Sequence, residues 1–184
     1  MHGLTPGFNL NALLDCVRQF GETQSPDKDA AIMGKVRNRL FQAWFRFRRP
    51  MTLGVRAAVE GEDGKVLMVR HTYTPGWHMP GGGVEKSETA LAALTRELQE
   101  EGGVELTGTP LLFGVYSNHA SFRNDHVLLY RVPLGFWKAC QATSKGEIAE
   151  IAWVDPKNPP EGTTPGTRRR FKELYDGTTL TALW

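Results

Sequence analysis

Residues 82–104 read GGVEKSETALAALTRELQEEGGV, and this stretch decides the fold. The stretch follows a loop rich in Gly and Pro, and its apolar residues recur at the spacing of an amphipathic helix. Ser87 is expected to cap that helix, which should run to about Glu101 and stop at Gly102-Gly103. The stripe predicted to face the core holds three leucines: Leu91, Leu94 and Leu98.

The same helix carries three glutamates, Glu97, Glu100 and Glu101, spaced so that all project from one side. Like charges at this spacing repel one another, and the macrodipole disfavours acids near a helix C-terminus. A solvated acidic face is one interpretation. A hard divalent cation held by the carboxylates would also remove the conflict.

The spacing of the whole stretch distinguishes these interpretations. Gly82, five residues, Glu88, seven residues and then Arg96 to Val104 fit G-x5-E-x7-R-E-U-x-E-E-x-G-U, with U apolar, at every specified position. A chance match has odds of roughly one in a million or less at ordinary residue frequencies. The pattern is the Nudix box, so the chain resembles the Nudix hydrolase superfamily over roughly Thr52 to Val154.

The resemblance implies an α/β fold, an α/β/α sandwich with a mixed sheet. It also implies Mg²⁺- or Mn²⁺-dependent hydrolysis of a nucleoside diphosphate linked to another moiety. By position, Glu97 and Glu101 resemble the principal metal ligands, assisted by Glu100. Arg96 resembles the residue that orients a box glutamate, and Glu88 the one that braces the loop against the helix. Gly82 is expected to allow close backbone approach and to offer a carbonyl to the metal or substrate.

Members of this family often add a glutamate from outside the box as ligand or base. The candidates are Glu147 and Glu150, just ahead of Trp153-Val154. Glu147 is preferred because it precedes the apolar alternation of the strand, where a loop could reach the site.

Residues outside the box are expected to choose the substrate. Trp77 either stacks on a base or packs as a loop aromatic. Basic side chains that could meet phosphates or border the site are Arg56, Arg70, His71, Arg123 and His126. The subgroup signatures of coenzyme A, NADH, ADP-ribose and diadenosine polyphosphate hydrolases are missing, so the leaving group stays open.

The remaining pattern predicts the scaffold. Residues 53–60 alternate as a strand with one buried face, Asp63-Gly64 is a two-residue hairpin signal, and 66–69 form the returning strand. Further predicted elements are strands at Leu111 to Ser117, His126 to Val132 and Ile148 to Val154, and a helix from Thr167 to Tyr175.

Residues 51–184 are predicted to form the Nudix domain and residues 1–50 a helical N-terminal extension. Within the extension, Asn9 to Phe20 and Gly34 to Arg49 read as helices, the second basic and amphipathic. Its aromatic side is expected to pack on the sheet or on a second subunit of a homodimer. Contact with an anionic membrane surface is the alternative for residues 34–49. Residues 1–32 are expected to be dispensable.

Composition excludes several classes of protein. The net charge of +2 does not by itself indicate a nucleic-acid partner, and two distant cysteines indicate neither a disulfide framework nor a zinc site. No apolar run approaches the ~20 residues of a transmembrane helix, and no signal peptide is recognisable. A cytoplasmic enzyme acting on a small nucleotide-type substrate is expected. A non-catalytic nucleotide sensor and an RNA-end pyrophosphohydrolase remain as alternatives.

Overall fold

The computed structural model describes residues 51–143 and 146–184. The predicted helices of residues 1–50 lie outside the described residues, and the two-part division of the chain stays a prediction. In the described part no helix is both long and apolar enough to cross a membrane. The elements in chain order are β1 (Thr52–Val59), β2 (Val66–His71), β3 (Trp77–His78), α1 (Ala90–Gly102), β4 (Val104–Leu106), β5 (Leu111–Ser117), β6 (Asp125–Val132), β7 (Trp137–Ala139), β8 (Ile148–Val154) and α2 (Pro165–Tyr175).

The strands form three sheets. The mixed sheet has the order β1-β6-β5, with β1 parallel and β5 antiparallel to β6. The second sheet, β3-β2-β8, is antiparallel, and β4 pairs with β7 in a two-stranded sheet. The strands predicted at 111–117 and 148–154 are confirmed, and β6 begins one residue earlier than predicted.

The predicted buried face of β1, with Val55, Ala57 and Val59, is confirmed. Its other face is buried at Ala58, whereas Arg56 is half-buried and Thr52 is exposed. Val55, Ala57 and Val59 pack with Leu94 and Leu98 of α1 in one cluster. Ala58, which points the other way, joins a second cluster with Met68, Leu129 and Phe171 of α2. These two clusters are the α1-side cluster and the α2-side cluster, respectively. Alternate side chains of one strand therefore contact different helices, and the predicted α/β sandwich is confirmed.

The turn after β1 has the predicted local geometry but a different outcome. Asp63 and Gly64 both have positive φ, 56° and 69°, as a two-residue hairpin turn requires. The two strands nevertheless belong to different sheets. They are linked at the turn by the bridge between Glu60 and Val66 and by the hydrogen bond that the Gly61 amide donates to the Lys65 carbonyl at 2.8 Å.

Helix α1 begins later than predicted. The N-cap is Thr89, whose Oγ1 accepts a hydrogen bond from the Ala92 amide at 3.1 Å. Ser87 is not the cap, because its φ of 68° places it in the tight turn before the helix. Gly103, at φ 60°, ends the helix in the left-handed conformation. Leu91 in the first turn is 45% exposed, so only Leu94 and Leu98 of the predicted stripe are core residues.

Candidate active site

A cavity of about 610 Å³ lies over one face of the mixed sheet. Thr52, Gly54 and Arg56 alternate along β1 and therefore share that face. Asp125 and Val127, the register partners of Thr52 and Gly54 on β6, complete the floor. The volume is typical of small-molecule sites, which usually span about 300–1,000 Å³.

The glycine-rich loop before the box runs antiparallel to β1 and forms the nearer wall. The Ala57 amide donates to the Pro80 carbonyl at 3.0 Å, and the Val55 amide donates to the Gly82 carbonyl at 2.8 Å. The Gly82 carbonyl predicted to face the metal or substrate thus already accepts a hydrogen bond from β1. The wall also contains four charged side chains of α1: Arg96, Glu97, Glu100 and Glu101.

Arg96 connects the carboxylates of the box. Its Nη1 lies 2.6 Å from Glu97 Oε1 and 3.3 Å from Glu100 Oε2, and its Nε lies 3.1 Å from Glu88 Oε1. The hydrogen bond with Glu88 is the largest cause of the raised pKa of Arg96, and the same bond lowers the pKa of Glu88. Glu88 Oε2 also accepts from the Glu85 amide at 2.9 Å, so Glu88 ties the loop to the helix.

Glu101 lies deeper than the other glutamates of the box. Its side chain is nearly buried, and Oε2 accepts a hydrogen bond from the Gly81 amide at 2.9 Å. Burial raises the pKa of Glu101 to about 7, although the Gly81 hydrogen bond and the charge of Arg56 oppose this. His71 Nδ1 lies 3.5 Å from the other oxygen, Oε1. Burial, followed by the charge of Arg56, lowers the pKa of His71 to about 4, so a neutral imidazole faces a carboxyl that burial favours in its protonated form.

Gly82 lies where the chain leaves no room for a side chain. A Cβ built on it would come 2.4 Å from Glu97 Oε1. The missing side chain therefore allows the Glu97 carboxylate to lie directly against the loop backbone.

The two glutamates proposed from outside the box occupy different surroundings. Glu147 lines the cavity with Glu97, Glu100 and Glu101. The Thr72 amide donates to the backbone carbonyl of Glu147 at 2.8 Å, which ties this residue to the β2–β3 loop. Glu150 instead pairs with Arg70 on the exposed face of the β2–β8 pair and does not line the cavity.

The predicted substrate-binding residues are not all brought together. Arg56 lines the cavity and donates from Nη1 to the Met79 carbonyl at 2.9 Å. His71 is buried behind Glu101. Trp77 packs against the α2-side cluster with the Arg70 guanidinium 5.7 Å from its ring centroid, which matches the packed-loop interpretation. Neither Arg70, Trp77, Arg123 nor His126 is among the residues that line the cavity.

Several lining residues were not predicted from the sequence. Tyr73 stands at the rim, where burial and then the charges of Glu101 and Glu147 raise its pKa. Four others follow the box at a distance in sequence: Asn118, Phe122, Asp125 and Trp184. Only the tertiary fold brings them to the site, because no local spacing connects them to the box.

The donor set fits a hard divalent cation in its chemistry. Glu97, Glu100, Glu101 and Glu147 line one cavity, and carboxylate oxygens are among the ligands that Mg²⁺ prefers. Within residues 51–143 and 146–184, no three His, Cys, Asp or Glu side chains are grouped closely enough to form a ready-made metal site. Glu97 is turned towards Arg96 and Glu101 towards the Gly81 amide, so binding a cation would require these side chains to reorient.

The arrangement of box, loop and sheet agrees with the comparison to known families. The model of the NUDIX domain matches residues 50–175. The chain belongs to the NUDIX domain family. The predictions of a Nudix fold and of a Nudix hydrolase are therefore confirmed at the level of the family.

The relatives of this Nudix chain include proteins named as diphosphatases and pyrophosphohydrolases. It is 29% identical over 127 residues to a putative 8-oxo-dGTP diphosphatase of Bacillus subtilis, covering 68% of this chain and 81% of that protein. A match to an RNA pyrophosphohydrolase of Halorhodospira halophila is 50% identical but spans 46 residues, 25% of each chain. A MutT Nudix hydrolase structure from Burkholderia pseudomallei superposes with a TM-score of 0.57 at 22% identity, covering 67% of this chain and 97% of that one.

Proposed function

We propose that this protein is a Mg²⁺- or Mn²⁺-dependent pyrophosphohydrolase that cleaves a nucleoside diphosphate linked to another moiety. The observation that carries the proposal is the convergence of Glu97, Glu100, Glu101 and Glu147 with Arg56 on one cavity. The phosphates of such a substrate need counter-charge, and a divalent cation held by carboxylate oxygens would supply it.

Each side chain has a role in this proposal. Glu97, Glu100, Glu101 and Glu147 would hold the metal, and the metal, when bound, would neutralise the pyrophosphate oxygens and lower the pKa of a water. Arg96 orients Glu97 and Glu100 through its guanidinium. Arg56 reaches the cavity from the floor and is placed to bind a phosphate oxygen.

Assays of phosphate release across several substrate classes, with and without Mg²⁺, would test the proposal. The panel should contain nucleoside triphosphates, dinucleotides, nucleotide sugars and ADP-ribose, with identification of the products. We expect turnover that EDTA abolishes and that Glu101→Gln removes without loss of the fold. Glu161→Gln serves as the control, because Glu161 is exposed and does not line the cavity. Near-normal turnover by Glu101→Gln would contradict the metal assignment.

Two alternatives are distinguished by the same panel. A nucleotide sensor would bind ligands without turnover. Cleavage of RNA 5′ ends is suggested by the short match to a protein named RNA pyrophosphohydrolase. Adding a 5′-triphosphorylated RNA tests this, because an RNA substrate would make the activity fall steeply with salt.

A further inference from the structure

Residues 178–184 form the C-terminal segment, and its Trp184 lines the end of the cavity farthest from the box. Leu183 bridges to Ser117 of β5, and the Trp184 amide donates to the Ser117 carbonyl at 3.0 Å. The backbone order across the sheet is thus the glycine loop, β1, β6, β5 and the C-terminal segment. Four inter-strand steps of about 4.8 Å separate the loop from the segment, roughly 19 Å in all.

A buried ion pair holds this segment on α2. The Arg170 guanidinium is fully buried and donates to Glu173 Oε1 at 2.7 Å. Arg170 also donates to the Leu183 carbonyl at 2.7 Å and to Thr181 Oγ1 at 2.8 Å. Glu173 Oε1 accepts from the Thr181 amide at 3.0 Å. Since a buried ion pair adds little stability over apolar residues of the same size, its evident effect here is to fix the position of the segment.

The ring of Trp184 is held by α2 and β5. A Cβ on Gly166 would come 2.6 Å from Trp184 Nε1, so the indole lies directly on the α2 backbone. The Tyr116 ring meets it edge to face at 5.8 Å, and the Arg170 guanidinium lies 5.6 Å from its centroid. The indole is nevertheless only partly buried and lines the cavity together with Asn118 and Phe122.

We infer that Trp184, held by the Arg170–Glu173 pair, is a specificity-determining residue that contacts the nucleobase of the substrate. The inference rests on the proposed function in one respect, the placement of phosphates at the box. A substrate whose phosphates lie there extends across the sheet, and the surface at the far end is aromatic. Trp184 and the 70% exposed Phe122 offer apolar ring surface, and Asn118, whose Nδ2 donates to Asp125 Oδ2 at 2.8 Å, adds a polar side chain to the same cavity. A nucleobase combines these needs, because it has a flat π-face and a polar edge.

Calorimetric titration with nucleoside monophosphates and with ribose 5-phosphate, in Mg²⁺, would test the inference. These ligands carry the same phosphate and differ in the base, so their affinity ratio measures the contribution of the base. We expect the wild-type protein to prefer the monophosphates, and Trp184→Ala to reduce that preference about tenfold while leaving ribose 5-phosphate binding unchanged. Leu180→Ala is the matched control, since Leu180 lies in the same segment, is 54% exposed and does not line the cavity.

Trp184→Leu, which keeps an apolar side chain, guards against loss of the fold, and thermal unfolding is measured for each variant. It should lose the preference for a base in the same way. Equal affinity of the wild-type protein for both ligand types, or an equal loss of both in the variants, would overturn the inference. Base-dependent binding that needs Trp184 in a protein without turnover would leave the subsite standing while the proposed function fails. Turnover without base-dependent binding would support the proposed function and overturn the inference about Trp184.

Discussion

At the scale of single residues, the arrangement of the box glutamates depends on the guanidinium of Arg96. Arg96 contacts Glu88, Glu97 and Glu100, and Glu97 is also pressed against the loop at Gly82. In the metal-free protein, the Glu97 carboxylate is therefore held both by the Arg96 guanidinium and by the absence of a side chain at position 82. Each constraint can be changed separately.

Gly82→Ala would place a methyl group 2.4 Å from Glu97 Oε1 and push that carboxylate away from the loop. We expect kcat/KM to fall about 100-fold, because a displacement near 1 Å can cost that much. Gly83→Ala is the matched control, since a Cβ there meets nothing within 4 Å, and its activity should change far less. Steady-state kinetics of the two variants measures kcat/KM for each. Similar kinetics in both would show that the position of Glu97 is not critical.

Glu147→Gln addresses the glutamate outside the box. It lines the cavity with the other carboxylates, so removing its charge should lower kcat at least about tenfold if it is ligand or base. Glu150→Gln is the companion variant, three residues away and engaged with Arg70 outside the cavity, and should keep its activity. The idea fails if the two variants retain the same kcat under saturating Mg²⁺.

The sequence allowed prediction of residues whose role depends on local spacing and not of those that meet only in the fold. Glu97, Glu100 and Glu101 share a helix face by their periodicity alone. Trp184 reaches the same cavity only because its segment lies beside Ser117. Arg70 and Arg123 carry the positive charge that a phosphate site needs, and both lie in segments that were expected to border the site. Strand direction and loop path nevertheless place them outside the cavity lining.

At the scale of elements, the start of α1 sets where the carboxylates project. Thr89 caps the helix through its hydroxyl, whereas Ser87 lies in a turn with positive φ. We expect Thr89→Ala to lower the free energy of unfolding by about 1 kcal/mol and Ser87→Ala by less than about 0.5 kcal/mol. Urea denaturation of both variants measures this. A larger loss with Ser87→Ala would contradict the assigned cap.

Element prediction worked where a pattern was long enough to have a period. Strands β5 and β8 show clear runs of β-formers, and their limits agree with the prediction. Strands β4 and β7 have three residues each, and β3 has two, too few for any alternation to be recognised. These short strands form because they pair with other strands, β4 with β7 and β3 with β2, and the local sequence does not specify those pairings.

At the scale of the whole molecule, the sandwich depends on alternate residues of β1 and β2 that pack in two clusters, one with α1 and one with α2. Val66 and Met68 join the α2-side cluster, while Leu67 joins the α1-side cluster. A run of apolar residues such as 66–69 does not show by itself whether one or both faces of a strand are covered. In β1 the alternation predicted the buried face of Val55, Ala57 and Val59, but it did not reveal that Ala58 is buried on the other face. The Nudix box itself indicated the layered fold through family resemblance.

The buried pair of Glu101 and His71 predicts how the stability of the metal-free protein depends on pH. Burial raises the pKa of Glu101 from 4.5 to about 7, so the folded state holds an extra proton between these values. Its contribution to the free energy of unfolding therefore falls as pH rises from 4.5 to 7. Burial lowers the pKa of His71 from 6.5 to about 4, so its contribution rises between pH 4 and 6.5.

The two contributions oppose each other, and wild-type protein in EDTA should show little net pH dependence from this pair. Glu101→Gln removes the falling contribution and leaves that of His71, so its unfolding free energy should increase with pH more steeply than that of the wild type between pH 4.5 and 6.5. Urea denaturation at several pH values measures both slopes, with Glu161→Gln as a control that should follow the wild type. A Glu101→Gln slope equal to or below the wild-type slope would mean that Glu101 is already ionised in the folded, metal-free protein. Its carboxylate would then have to be stabilised by groups other than a metal ion, and Arg56 is the candidate, because it lines the cavity and its charge lowers the pKa of Glu101.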